Sequence, residues 1–220
     1  VVKASNRPHF CQFINIAIML KITPIPALAD NYIWLLQQGN EAVCIDPGDA
    51  APVIGYLKAH GLVLHQIWIT HHHADHTAGL PELIRQFPDC RVYANHDIPH
   101  ATHTVGEGSS WPLWQSQVEV WHTPGHTQTH LSYLLQADGQ ARLFCGDTLF
   151  SAGCGRVFDG TPAQLFASLQ RINRLPENTL LYPAHEYTAA NLRFAAHIEP
   201  HNPEIQTAFD HIRTEILTAE

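Results

Sequence analysis

The chain has 220 residues, 45% of them hydrophobic and 15% charged, which is ample for a packed core and unlike a disordered or collagen-like composition. Twelve Lys and Arg stand against 20 Asp and Glu for a formal charge of -8, which repels polyphosphate and sets nucleic acid aside as a partner. Five cysteines, Cys11, Cys44, Cys90, Cys145 and Cys154, form no C-x-x-C pair, which argues against a disulfide framework or a thiolate zinc knuckle and for a reducing, cytoplasmic compartment.

In chain order, Lys3 and Arg7 precede an apolar stretch from Phe13 to Leu20, so a signal peptide has to be weighed. Gln12 and Asn15 interrupt that stretch, Lys21 ends it early, and cleavage after Ala29 would remove the first strand. Met19 is the only methionine. Residues 1–18 are therefore expected to be a non-native extension, with the fold beginning at residue 19. Apolar runs of strand length follow at Ile22 to Ile25, Tyr32 to Leu36, Ala42 to Ile45, Ile67 to Ile69, Val92 to Ala94, Val118 to Trp121, Leu131 to Leu135, Leu143 to Cys145 and Leu180 to Tyr182. Helical periodicity fits Ala51 to His60 closed by Gly61, Ala78 to Phe87 before Pro88, and Thr161 to Leu175 with Thr161 as N-cap and Pro162 in the first turn. Two further helices are predicted near Ala189 to His197 and Pro203 to Thr218. This order suggests two sheets packed together with helices outside, a four-layer α/β architecture. No repeat or membrane-length apolar run is present, so no membrane partner is expected.

The histidines number 17, and their positions carry the chemistry. Ile67-Trp68-Ile69 runs straight into Thr70-His71-His72-His73-Ala74-Asp75-His76. On an extended segment His71 and His73 point the same way, while Asp75 and His76, entering a turn, can face a second point a few ångströms off. That suits two metals rather than one. The plainer reading is a polar loop with Asp75 capping the next helix. Four side chains cannot fill two metal sites, so more ligands must come from elsewhere. His126 in Thr123-Pro124-Gly125-His126, Asp147 in Cys145-Gly146-Asp147-Thr148 and His185 in Tyr182-Pro183-Ala184-His185 each follow a predicted strand, where α/β sheets put their sites. A carboxylate such as Asp147 can bridge two cations, as imidazole cannot.

Thr70 to His76 matches the Thr-His-x-His-x-Asp-His signature, and the later His, Asp and His follow in order. The chain thus resembles the metallo-β-lactamase superfamily, and within it glyoxalase II, the hydroxyacylglutathione hydrolases. The likeness runs through Ala29-Asp30-Asn31-Tyr32, Ile45-Asp46-Pro47-Gly48, Gly146-Asp147-Thr148-Leu149-Phe150, Gly153-Cys154-Gly155-Arg156 and His185-Glu186-Tyr187-Thr188. It implies an αββα sandwich over residues 19–185, followed by a truncated helical substrate-binding segment over 186–220. It implies two divalent metal ions per chain, zinc first, with iron or manganese equally acceptable to imidazole and carboxylate ligands. His71, His73 and His126 would hold one metal; Asp75, His76 and His185 would hold the other; Asp147 would bridge. Asp75 and Asp147 are then the catalytic carboxylates, and a metal-held hydroxide attacks the thioester of an S-(2-hydroxyacyl)glutathione such as S-D-lactoylglutathione. Arg156, Phe158 and Tyr187 would contact the glutathione portion, Phe158 standing where some relatives have tyrosine. Asp46 is the candidate to orient a ligand histidine, or simply opens a Pro-Gly turn.

The plainer alternatives make Arg156 a surface charge and Phe158 a core residue. Cys154 is expected to be a packed small residue rather than a nucleophile. His72, His96, His122 and His130 are expected to be non-ligands. The family's closing segment, with further basic contacts to substrate, has no counterpart before Glu220, which puts affinity in question more than chemistry. Three rivals stand beside the thioesterase reading: another hydrolase of the superfamily, a persulfide dioxygenase using one iron, and a metal-binding fragment without turnover. A monomer acting on a small molecule is expected.

Overall fold

The computed structural model describes residues 19–218, with side chains to residue 212. The expected N-terminal extension and Cys11 lie outside the described residues. The elements run β1 (Lys21–Ala27), β2 (Asn31–Gln38), β3 (Glu41–Ile45), α1 (Ala50–His60), β4 (Val63–Trp68), α2 (Ala74–Thr77), α3 (Leu80–Gln86) and β5 (Arg91–Ala94). There follow β6 (His103–Thr104), β7 (Ser110–Leu113), β8 (Ser116–His122), β9 (Leu131–Ala137), β10 (Gln140–Gly146), β11 (Leu149–Phe150) and β12 (Gly153–Cys154). The chain continues through α4 (Pro162–Ile172), β13 (Leu180–Pro183), α5 (Thr188–Ile198) and α6 (Pro203–Thr218).

Two sheets carry the fold. The first has the order β1-β2-β3-β4-β5-β6 and the second β13-β10-β9-β8-β7, with β11 and β12 forming a separate ribbon. Strands β3 to β6 pair in parallel, as does β13 with β10; the other pairs in the two sheets are antiparallel. Alternation along each strand sends its side chains into two different cores. In β3, Val43 and Ile45 enter the layer between the sheets with Trp68, Tyr133, Val120 and Phe144. Ala42 and Cys44 face the other way, onto Val53 and Leu57 of α1 and Leu80 and Leu83 of α3. On the outer face of the second sheet, Ile172 of α4 packs with Trp121, Leu134, Leu143 and Cys145. The predicted four layers, helices, sheet, sheet and helix, are therefore present.

Local signals account for the helix ends. Asp49 accepts the Ala51 N–H at the start of α1, and Gly61 closes it at φ 63°. Thr161 and Gln164 form a reciprocal capping box on α4, with Pro162 in its first turn. Of the helix predicted from Ala78 to Phe87, α3 forms Leu80–Gln86, while Ala74–Thr77 just before it form a separate short helix, α2, that was not predicted, the chain breaking between the two at Gly79. A Cβ on Gly79 would stand 2.5 Å from the Pro47 carbonyl oxygen, and its N–H donates to that oxygen at 2.9 Å. The break is thus a close approach of two turns, helped by Pro81 at the start of α3. Helix α4 ends at Ile172 rather than Leu175. The short strands β6, β7, β11 and β12 were not predicted; β7 contains Pro112, which an edge strand tolerates.

Candidate metal centre

Strand β4 ends at Trp68, and the next residues turn across the ends of both sheets. Asp46, just past β3, adopts φ 52°, a left-handed conformation that Asp enters more readily than most residues. From there its buried carboxylate accepts from the Thr70 N–H at 2.7 Å, from Thr70 Oγ1 at 2.7 Å and from His76 Nδ1 at 3.1 Å. His126, Asp147 and His185 follow β8, β10 and β13, so three separate strand ends deliver side chains to the signature loop. His72 points away, to Asp97 at 3.1 Å.

The histidines are aimed by what lies behind them. The Arg156 carbonyl can only accept, so His126 Nδ1, 2.7 Å from it, carries the proton and Nε2 presents a lone pair. Thr70 Oγ1 gives its hydrogen to Asp46 and so accepts from His71 Nδ1 at 3.0 Å, leaving a lone pair on His71 Nε2. Those two Nε2 atoms stand 3.0 and 3.1 Å from His73 Nδ1. Three imidazole nitrogens facing one point have at most one proton there to share. On the other side, His76 Nδ1 is held by Asp46 and His185 Nδ1 by Asp30 at 2.8 Å. Their Nε2 atoms lie 3.5 and 3.4 Å from Asp75 Oδ2, which also accepts from Asn31 Nδ2 at 3.2 Å.

Asp147 stands between the two groups. Its Oδ2 is 3.4 Å from His126 Nε2, and its Oδ1 is 3.5 Å from His76 Nε2 and 3.4 Å from His185 Nε2. Among the described residues, buried His76 Nε2 and Asp147 Oδ1 have no hydrogen-bond partner, although polar atoms in native interiors are nearly always satisfied. Ligand atoms of His71, His73 and His126, of His71, His76 and Asp147, and of Asp75, His76 and His185 each lie within 4.8 Å of one another. Unpartnered polar atoms, converging lone pairs and an all-imidazole-and-carboxylate donor set fit divalent metal ions.

The electrostatics differ between the groups. Burial, then the neighbouring histidines, pushes His71 well below its ordinary range, and His73 and His126 are lowered chiefly by burial. They are neutral imidazoles, the form that ligates. Burial opposes charge on His76 as well, but Asp46, Asp75 and Asp147 overcome it and raise the group to about 10. His185 is also raised to about 10, against burial, by Asp147, Asp75 and Asp30. The rings of His185 and His76 beside it hold Asp75 far below the carboxylate range. Burial would raise Asp147, but His185 and His76 keep it low. This second group is a concentration of negative charge in which protons occupy the positions that a cation would take.

A cleft of about 310 Å³ opens onto His73, Asp75, His126, Asp147 and His185, and Arg156, Phe158 and Tyr187 stand on its walls. The structure thus brings the ligand and substrate-contact candidates read from the sequence to one place. Tyr187 stacks on His185 at 4.8 Å, and burial, then Asp30, pushes its hydroxyl to about 12. Phe158 is 59% exposed, with the Arg156 guanidinium 5.3 Å from its ring, so the core reading fails. Cys154 is exposed on the β11–β12 ribbon, not packed as expected; the close approaches of this ribbon to Asn191 and to the Asp147 carbonyl are made by the flanking Gly153 and Gly155. Sequence reasoning gave no role to Asp30, Asn31 and Thr70; Asp30 and Asn31 lie more than 40 residues from the groups they hold, and no local pattern reports such a contact.

The family model described as the metallo-beta-lactamase superfamily matches residues 29–185. A hydroxyacylglutathione hydrolase of Neisseria meningitidis serogroup A is 59% identical over 86% of this chain and 76% of its own. One from Aliivibrio salmonicida is 52% identical over 86% and 74%. Among solved structures, ETHE1 from Myxococcus xanthus superposes with a TM-score of 0.67 at 31% identity, covering 77% of this chain and 76% of that one. With a family model matched across most of its length and relatives this similar over three quarters of theirs, the chain belongs to the metallo-beta-lactamase superfamily and, within it, to the hydroxyacylglutathione hydrolases.

Proposed function

We propose that the protein hydrolyses the thioester of an S-(2-hydroxyacyl)glutathione, such as S-D-lactoylglutathione, to glutathione and a 2-hydroxy acid. The observation that carries this reading is the position of Asp147 between two ligand groups, at the floor of a cleft walled by Arg156, Phe158 and Tyr187. His71, His73 and His126 would hold one divalent ion, Asp75, His76 and His185 a second, with Asp147 shared; zinc is the first choice, iron or manganese the others. Ions so held would supply Lewis acidity to the thioester carbonyl and lower the pKa of a water to about 7.

The chain's own groups do the rest. Asp46, Thr70, Asp30 and the Arg156 carbonyl keep the ligand nitrogens aimed inward. The Tyr187 hydroxyl, pushed up to about 12, stays protonated and can donate to substrate. Arg156 offers its cation to a substrate carboxylate, and Phe158 offers an apolar face but no hydroxyl. Water adds to the carbonyl carbon, the C–S bond breaks, and the sulfur leaves as a thiolate. With a thiol pKa of about 8.5, it leaves without an acid from the protein. Serine and cysteine are not among the cleft residues, in keeping with water as the nucleophile. The buried thiols suit a reducing cytoplasm, and elution at the mass of one chain is expected.

The test is metal content per chain, measured beside loss of thioester absorbance with S-D-lactoylglutathione. Two metals with turnover are expected. One iron without hydrolysis would overturn the reading in favour of a dioxygenase, and two metals without turnover would overturn the substrate.

A further inference from the structure

Beneath the metal-facing side chains lies a buried polar group that the chemistry above does not use. His130, Thr123, Ser132 and Thr148 are completely buried. His130 Nδ1 is 3.1 Å from Thr123 Oγ1 and 3.2 Å from Thr148 Oγ1. Thr123 Oγ1 is in turn 2.8 Å from Ser132 Oγ and 3.3 Å from Thr148 Oγ1. A four-membered polar network in a dry core is costly unless fully satisfied, and this one is satisfied only with the ring in one protonation pattern.

That pattern follows from the far nitrogen. The Asp147 backbone N–H donates to His130 Nε2 at 3.1 Å, and an amide can only donate, so Nε2 must be an unprotonated acceptor. The ring hydrogen then sits on Nδ1 and points into the threonine hydroxyls. The ring face lies against His71, centroids 4.9 Å apart and planes 25° apart. Gly146, at φ 49°, makes the approach possible: a Cβ there would come within 2.8 Å of His130 Nε2 and 2.5 Å of Thr70 Oγ1. The Gly146 carbonyl also accepts the Ala184 N–H at 3.2 Å, which ties the same turn to the strand end that carries His185.

We propose that His130 is the positioning residue of the shared carboxylate: by accepting the Asp147 N–H at Nε2 while Thr123 and Thr148 take up the hydrogen on Nδ1, it fixes where Asp147 stands between the two ligand groups. The inference rests on Asp147 belonging to both groups, as proposed above. His130 is not itself a ligand, since its lone pair is spent on the backbone.

Two substitutions separate the two ends of the ring. In His130→Gln the side-chain amide reaches the place of Nε2 and can still accept the Asp147 N–H; in His130→Asn the amide ends at the place of Nδ1 and cannot. Zinc affinity by competition with a chromophoric chelator, together with metals bound per chain, is the readout, with kcat and KM for the thioester alongside. Loss of a hydrogen-bonding partner behind a ligand typically costs about 10–100-fold in metal affinity or activity. That loss is expected in His130→Asn, in kcat rather than KM, with affinity recovered in His130→Gln. Equal behaviour of the two variants would overturn the proposal. Should neither fold, histidine-labelled unaltered protein decides the matter: two-bond 1H–15N correlations must show a buried ring protonated at Nδ1 and accepting at Nε2, and the opposite tautomer at His130 would overturn it. Asp147→Asn is the control. If that variant binds both metals as tightly as the unaltered chain, the shared-ligand reading itself has failed; if it loses them while His130→Asn does not, only the present inference has.

Discussion

Replacing Asp46 by Asn tests the aiming of the ligand histidines with little change in shape. The backbone there is left-handed at φ 52°, which Asn also adopts readily, so strain does not confuse the result as it would with Ala. The carboxylate accepts three hydrogen bonds, two from Thr70 and one from His76. Asn keeps an oxygen for the Thr70 N–H but presents NH₂ where Oδ2 was. Thr70 can turn its hydroxyl to accept, at the expense of its contact with His71. His76 Nδ1 would have to become an acceptor, which places the ring proton on Nε2, the atom that faces Asp75 and Asp147. Hydrogen bonds to charged groups contribute about 1.5–3 kcal/mol against about 0.5–1.5 for neutral ones. Weakening one and reversing two comes to about 2–4 kcal/mol. For a domain of this size that is a fall in Tm of roughly 5–15 °C, to be measured with chelator present in all samples so that metal binding does not contribute. Zinc affinity should fall about 10–100-fold, read by chelator competition. An Asn variant that melts with the unaltered chain and binds two metals as tightly would refute the tautomer argument.

Asp147→Ala should abolish thioester hydrolysis while circular dichroism and melting show the fold retained; His72→Ala, whose ring turns away to Asp97, should change kcat/KM little in the same assay. Gly155→Ala should be far more damaging than its size suggests, because the new Cβ would fall 1.9 Å from the Asp147 carbonyl oxygen; full activity in that variant would show the ribbon to be more accommodating than its packing implies. Burial pushes the thiols of Cys90 and Cys145 to about 12 and raises that of Cys44, whereas Cys154 is exposed. A disulfide reagent added to the native protein should therefore lose one rapidly reacting thiol in Cys154→Ser and none in serine variants of the three buried cysteines. Phe158→Tyr should lower KM for the glutathione thioester, since it adds a donor to the wall of the cleft worth about 1 kcal/mol when well made; an unchanged KM would place substrate away from that wall.

Much of the fold and nearly all of the proposed ligand set were legible in the sequence. Every predicted strand is present, because a strand buried on both faces leaves an uninterrupted apolar run such as Ala42 to Ile45 that needs no partner to be recognised. His71, His73, Asp75 and His76 could be read as a unit because they are adjacent: the two-residue repeat of an extended chain turns His71 and His73 the same way, and the turn into α2 carries Asp75 and His76 to the second group. His126, Asp147 and His185 were found by position, each just beyond a strand.

Tertiary structure alone decided what stands behind those ligands. Asp30 lies 155 residues from His185, Asn31 lies 44 residues from Asp75, and His130 lies 17 residues before the Asp147 N–H it accepts. Each is an ordinary polar residue until two sheets meet and their strand ends converge. The split at Gly79 and the exposed Cys154 were hidden for the same reason, since close approach of another turn, or the lack of one, leaves no periodic trace. Ligand identity follows from the chemistry of a side chain and its neighbours along the chain, whereas ligand orientation follows from hydrogen bonds across space, and those exist only once the fold has formed.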